Sequence, residues 1–410
     1  MLIGLLAFAL HHNLVYFGGY QLLNFSDYSP VQTREMCAQL LFDQNELYPD
    51  AAKINCDKIF AGDFMEICRG RWIHDSGINF TFLSRLAHCE RFTFERQYQI
   101  MPASKHEADF PIAYSIMVHR NFWQLERVLR LIYAPQNVYC IHVDPQSAAL
   151  LNQVTLLTTC LPNLFVVSHA VPVVWGGYGV LAGTLNCMAD LVKQNEQWKY
   201  FINLSGMDFP LKTNREIVQY LKSLNGSNEA EVKIETKDSR YHYVHKTVYD
   251  RWKHPDSVVR TSDRKAPPPE GLTIFRGNLA VLLSRPFAEW VLKNPTSRRL
   301  RNWLKDTYIP DEHFWATLLG NRQLNAPGGL SARTSNNPLS RYTVWSPSKE
   351  CRGKFIHDVC VFGVEDIPRL VNLPHLFVNK LHTDFESAAF TCMESWYLNE
   401  RRRLAAKPWP

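Results

Sequence analysis

From position 110 the hydrophobic residues fall into short apolar runs that alternate with stretches of three- and four-residue spacing. Mostly apolar runs of this length suit strands buried on both faces, and the spacing between them suits helices with one apolar side. The pattern therefore predicts βαβ units around a parallel sheet. Ile112–Val118 is the first predicted strand, Val138–Val143 the second, 164–167 the third and 200–204 the fourth. Phe122, Leu125, Val128, Leu129 and Ile132 line one face of the helix after the first strand. Val180, Leu181, Leu185, Met188 and Leu191 do the same before the fourth. Together these elements read as a Rossmann-like nucleotide-binding half.

Beyond Pro210 the pattern is mixed. Residues 229–264 are rich in Lys, Arg, His and Tyr, lack a clear period and end in the proline turn at 266–269, so they read as a mobile or ligand-facing connection. A further strand is expected at 280–283. Pro310, followed by Asp311 and Glu312, opens a helix over Phe314, Trp315 and Leu318. Proline fits a first turn, and acids suit the positive end of the helix dipole. The organisation expected is a signal anchor within 1–23, a stem and packing region over 24–109, a catalytic domain over 110–395 and a tail over 396–410.

At 410 residues with 46% hydrophobic and 20% charged residues, the chain can build a large core, which excludes a disordered chain, a coiled coil or a fibre. Its net charge of +6 comes from 45 basic residues scattered among 39 acidic ones, with no polybasic tract, so nucleic acid is not an expected partner. The excess suits an anionic small molecule or an ordinary surface equally. Residues 2–10 are wholly apolar and no Lys or Arg precedes Arg34, a pattern compatible with an anchor in the membrane or a cleaved signal peptide. Ten cysteines without a C-x-x-C pair argue against a zinc ribbon or a thioredoxin-like site. Sequons at Asn24, Asn79, Asn203 and Asn225 point to a secretory compartment, where disulfides form. Asn203 lies inside an apolar run, so the expected glycosylation sites are Asn24, Asn79 and Asn225.

In open α/β sheets, ligands bind beyond the carboxyl ends of the strands. The residues there are polar: Val118 is followed by His119 and Arg120, Asp144 closes the second run, and Asp208 follows the fourth. Asp144 suits either a ribose or base contact or a cap on the next helix. There is no G-x-G-x-x-G after the first strand and no P-loop, which argues against a dehydrogenase or a kinase. There is also no D-x-D to hold a metal on a sugar-nucleotide diphosphate, so a diphosphate here calls for protein cations.

Five stretches in order carry a resemblance: Phe110 to His119, Ile141 to Asp144, Asn203 to Pro210 (Asn-Leu-Ser-Gly-Met-Asp-Phe-Pro), Ala266 to Pro269, and Pro310-Asp311-Glu312 with Trp315-Ala316-Thr317. Over residues 56 to 395 the chain resembles the β-1,6-N-acetylglucosaminyltransferases of the core 2 and I-branching group, glycosyltransferase family 14. The resemblance implies a GT-A-type fold with a mixed sheet. It also implies transfer of N-acetylglucosamine from UDP-GlcNAc to a galactose-containing or mucin-type O-glycan, inverting, with neither metal nor cofactor. It places the enzyme in the Golgi membrane with a lumenal catalytic domain, as a monomer or a homodimer.

Residue by residue, the resemblance implies that Glu312 is the base, since one carboxylate suffices to take the acceptor hydroxyl's proton in a single displacement. Lys380 matches a Lys that meets the diphosphate, while His357 stands where the family has Arg, so Arg352 or Lys354 is the alternative source of that charge. Val118, His119, Asp144, Gly277 and Asn278 fall on the donor side, and Glu231, Lys237, Arg240 and Trp345 on the acceptor side. Trp175-Gly176-Gly177-Tyr178 departs from the family pattern. The implied disulfides are Cys56 with Cys392, Cys89 with Cys160, Cys140 with Cys187 and Cys351 with Cys360, leaving Cys37 and Cys68 as an extra pair. Ser205 takes the place of the family's free thiol. A related xylosyltransferase and an inactive glycan-binding relative are the competing readings.

Overall fold

In the computed structural model of the protein, residues 54–72, 86, 88–194, 197–234, 240–248, 257–331 and 338–409 are described, with Thr33, Cys37 and the backbone of Leu14–Phe17 and Tyr20–Asn24. The chain divides into two units. One comprises Phe80–Gly206 and Asn214–Ser340; the other comprises Met1–Asn79, Met207–Thr213 and Arg341–Pro410.

The strands of the first unit are β1 (Ile112–Val118), β2 (Val138–Val143), β3 (Leu164–Val166), β4 (Tyr200–Ser205), β5 (Lys233–Ile234), β6 (Tyr243–Val248), β7 (Ser257–Arg264), β8 (Phe275–Arg276) and β9 (Leu282–Ser284). Five of them form one mixed sheet in the order β9-β4-β1-β2-β3. β1 to β4 run parallel, and β9 pairs antiparallel with β4. The helices used below are α1 (Phe122–Ile132), α2 (Ala148–Thr158), α3 (Gly179–Gln194) and α4 (Asp311–Gly320).

All five apolar positions expected on α1 are buried. Asn121, in the left-handed region, starts the helix by accepting from the Gln124 amide at 3.0 Å. α3 packs on β1 and β2 through Leu181, Leu185, Met188 and Leu191, and the Cys140–Cys187 disulfide ties β2 to it. Asn203 is spent inside the fold, accepting from Val281 N at 3.0 Å and donating to Leu279 O at 2.9 Å. Asn225 is exposed on a turn at φ 47°.

Two elements differ from the sequence reading. The stretch 229–264 is not a plain connection. It holds β5 and the antiparallel β6–β7 ribbon, whose residues are half-buried or exposed, so no apolar period marks them. The strand expected at 280–283 is Leu282–Ser284, because only these residues pair with β4; Ala280 and Val281 are buried outside the ladder.

In the second unit, Arg341–Thr343, Phe377–Asn379 and Asp208–Pro210 form a three-stranded sheet, and Lys354–Ile356 with Val359–Val361 a hairpin. Asp208, expected at a ligand-facing strand end, is fully buried. Its carboxylate accepts from Arg341 and Asn379, both at 2.7 Å. The four disulfides that the resemblance implied are present, and the two remaining cysteines, Cys37 and Cys68, pair with each other. Among the described residues no helix is long and apolar enough to cross a membrane, and residues 2–10 lie outside them.

Candidate active site

The carboxyl ends of β1 and β2 are laced together by backbone bonds. The Asp144 amide donates to Val118 O at 3.0 Å, and Ser147 Oγ donates to His119 O at 2.7 Å. Val118 is buried and His119 exposed. The Asp144 carboxylate is 5% exposed and accepts from the Gln146 and Val173 amides, each at 2.9 Å. It thus closes the turn before α2 and pins the segment that leads to Trp175. Beside that segment lies a cavity of about 240 Å³ lined in part by Val174, Gly177, Tyr178 and Thr247.

The proline and acids at 310–312 start α4 as expected, with Pro310 at the cap position itself. The turn that delivers them is tight. Ile309 sits at φ 51°, an unusual conformation for a β-branched residue, and its amide donates to Gly176 O at 2.8 Å. Tyr308 meets Trp175 edge-on, with ring centres 5.8 Å apart, and stacks on His245 at 5.5 Å. Gly176, at φ 78°, leaves room for the Tyr308 ring, which a Cβ would approach to 2.6 Å.

Glu312 is the centre of this arrangement. Its side chain is 14% exposed, and Oε2 accepts from Arg240 Nη1 at 2.6 Å and from Arg276 Nε at 3.2 Å. Its carbonyl accepts the Gly277 amide at 2.7 Å. β8 delivers Arg276 and Gly277, because it pairs with β5 and rests on α4, where the Phe275 amide donates to Thr317 Oγ1 at 3.1 Å. Gly277 passes so close to the segment leading into β5 that a Cβ would lie 1.9 Å from Glu231 O. Asn278 accepts from the Ala280 amide at 3.1 Å, and Glu231 is paired with Lys233. Asp311, next to Glu312, is buried. Burial, helped by the charge of Glu312, pushes its carboxyl up to about 7.

In the second unit the Lys380 ammonium donates to Ile356 O at 3.1 Å, next to the turn of the hairpin that carries His357. His357 and Asp358 form its two-residue turn at φ 50° and 60°, and His357 is exposed. The Cys351–Cys360 disulfide spans this hairpin, and Trp345, 49% exposed, bridges to Val359. Arg352 is held by Glu365 at 2.6 Å, and Lys354 lies 4.3 Å from the Phe385 ring centre. Among the described residues no group of three or more His, Cys, Asp or Glu is placed to hold a metal ion.

The family model described as Core-2/I-Branching enzyme matches residues 112–371. The chain belongs to this family. It is 36% identical over 403 residues to human "Beta-1,3-galactosyl-O-glycosyl-glycoprotein beta-1,6-N-acetylglucosaminyltransferase 3", covering 90% of this chain and 89% of that protein. The rat protein of the same name is 36% identical, over 88% of this chain and 86% of its own. The "Beta-1,3-galactosyl-O-glycosyl-glycoprotein beta-1,6-N-acetylglucosaminyltransferase" of Bovine herpesvirus 4 (strain DN-599) is also 36% identical, over 88% and 85%. These are glycosyltransferases, and so is this enzyme. A likeness to the solved mouse Xyloside xylosyltransferase 1, at TM-score 0.27 and 15% identity over 53% of this chain and 84% of that one, is too low to carry an argument.

Of the residues expected at the site, the first unit gathers Arg240, Gly277 and Glu312, and the second gathers Lys380, the His357 turn and Trp345. Lys237 lies outside the described residues. Arg276 was missed by the sequence reading. Its only mark there is a charge directly before Gly277.

Proposed function

We propose that this Core-2/I-Branching enzyme transfers N-acetylglucosamine from UDP-GlcNAc to a hydroxyl of a galactose-containing, mucin-type O-glycan, forming a β-1,6 branch with inversion and without a metal. The observation that supports this most directly is Glu312. It is a largely buried carboxylate at the start of α4, held through one oxygen by two guanidinium groups. In the reaction, the acceptor hydroxyl gives its proton to Glu312 while its oxygen bonds to the anomeric carbon from the face opposite UDP. The bond from that carbon to the β-phosphate oxygen breaks, and UDP leaves with the electron pair. Lys380 and His357 are assigned to the charge on the departing diphosphate, with Arg352 already engaged by Glu365. Val118, His119, Asp144, Gly277 and Asn278 are assigned to the donor, and Glu231, Lys237, Arg240 and Trp345 to the acceptor.

The five disulfides and the exposed sequon at Asn225 support a lumenal location, and the Golgi membrane is the compartment we assign.

The test is incubation with UDP-GlcNAc and Galβ1,3GalNAc in EDTA, with product read by mass, for the wild type and Glu312→Gln. Product from the wild type and a loss of 10²-fold or more in the variant, with UDP binding kept, are expected. Product only with added manganese would remove metal independence. Transfer from UDP-xylose alone would favour the xylosyltransferase reading. Acceptor binding without any UDP-dependent heat would favour the glycan-binding one.

A further inference from the structure

We infer that Arg276 is a positioning residue for the proposed base: by holding Oε2 of Glu312 it leaves Oε1 as the oxygen that meets the acceptor hydroxyl. This rests on the reading of Glu312 above and deepens it.

The two guanidinium groups on Glu312 come from different places. Arg240 follows the 235–239 segment and shares its backbone with the tight turn before α4, where the Tyr308 amide donates to Arg240 O at 3.4 Å. Arg276 comes from β8, whose other bonds fasten it to α4 itself and to β5. The base and its holder are thus mounted on one framework, since the Gly277 amide, next in the chain to Arg276, donates to Glu312 O at 2.7 Å. Arg240 belongs to the proposed acceptor set, so an incoming sugar competes for it. Arg276 is the contact that stays with the carboxylate when that happens. Both bonds fall on Oε2 at 2.6 and 3.2 Å. A carboxylate fixed through one oxygen presents the other in one direction, which is what in-line transfer to a sugar hydroxyl held by its own contacts requires. Water, small and free to turn, does not need that alignment.

The partition between transfer and hydrolysis of the donor therefore reports the role. Arg276 is 41% exposed along its side chain, so it is replaceable without leaving a large void. For Arg276→Ala we expect the transfer kcat to fall about ten- to a hundredfold. Both KM values and the melting temperature should hold, as should donor hydrolysis without acceptor. The hydrolysis-to-transfer ratio then rises at least about tenfold. Arg276→Lys, which keeps a cation but not the planar fork, should recover part of the loss. An unchanged transfer rate, or an equal fall in transfer and hydrolysis, would overturn the inference. Full transfer by Glu312→Gln would instead show that the base itself is misassigned, and the role of Arg276 would go with it.

Discussion

Replacing Asp311 by Asn removes a carboxyl that burial in the first turn of α4, with the charge of Glu312 beside it, pushes from an ordinary 3.8 up to about 7. Asn has the shape of the neutral acid and cannot ionise. A carboxyl whose value is raised by folding binds its proton more tightly in the folded chain than in the unfolded one. Stability is therefore full below about pH 4 and declines as pH rises through 7. The displacement is a little over three pH units at about 1.4 kcal/mol each, so the wild type gives up roughly 4 kcal/mol by the time both states are ionised. The Asp311→Asn variant gives up none of it. Between pH 5 and pH 8 the stability of Asp311→Asn should thus rise relative to wild type by about 3 kcal/mol, mostly below pH 7. Asp366, pushed up to about 6 by its own burial, adds the same slope to both proteins and cancels in the difference. Urea unfolding of both proteins with disulfides intact, at half-unit steps from pH 5 to 8, measures it. Parallel curves would refute the reasoning, since they would mean that Asp311 is ionised in the folded enzyme throughout.

Two other substitutions read the geometry directly. Gly277→Ala places a methyl 1.9 Å from the Glu231 carbonyl oxygen, so the backbone after β8 has to move away from the segment before β5; a loss of about 1–3 kcal/mol in stability and at least tenfold in transfer is expected, and a wild-type melting curve would count against the close approach. His357→Arg puts a fixed guanidinium on the exposed hairpin turn and should lower the KM for UDP-GlcNAc several-fold at pH 7.5; an unchanged KM would show that the turn does not meet the diphosphate.

The sheet was the most legible part of the chain because its central strands are buried on both faces. A short, mostly apolar run such as Val138–Val143, every residue of it buried, is the mark of such a strand. The β6–β7 ribbon was invisible for the opposite reason: Lys246, Arg260 and Arg264 are exposed on it, and no alternation distinguishes such a ribbon from a loop. Glu312 was found through the residues around it in the chain, but its state was not. Arg240 is 72 residues away and Arg276 is 36, and it takes the seating of β8 on α4 and its pairing with β5 to bring the latter to the carboxylate. Asp208 shows the converse error. Its position after a strand suggested a ligand, yet its partners Arg341 and Asn379, 133 and 171 residues away, make it an interior tie.

The second unit is assembled from three separate stretches of chain, and the Cys56–Cys392 disulfide that joins two of them spans 336 residues. On the ribosome this has a cost in time. At about 5–20 residues per second, the Cys56 thiol waits roughly 20–70 seconds for its partner to be made. During that wait Cys37 and Cys68, only 31 residues apart, are already present and compete for it. The yield of correctly joined enzyme therefore depends on how well early disulfides are rearranged during folding, and a nascent chain stopped before residue 392 leaves the Cys56 thiol without its partner.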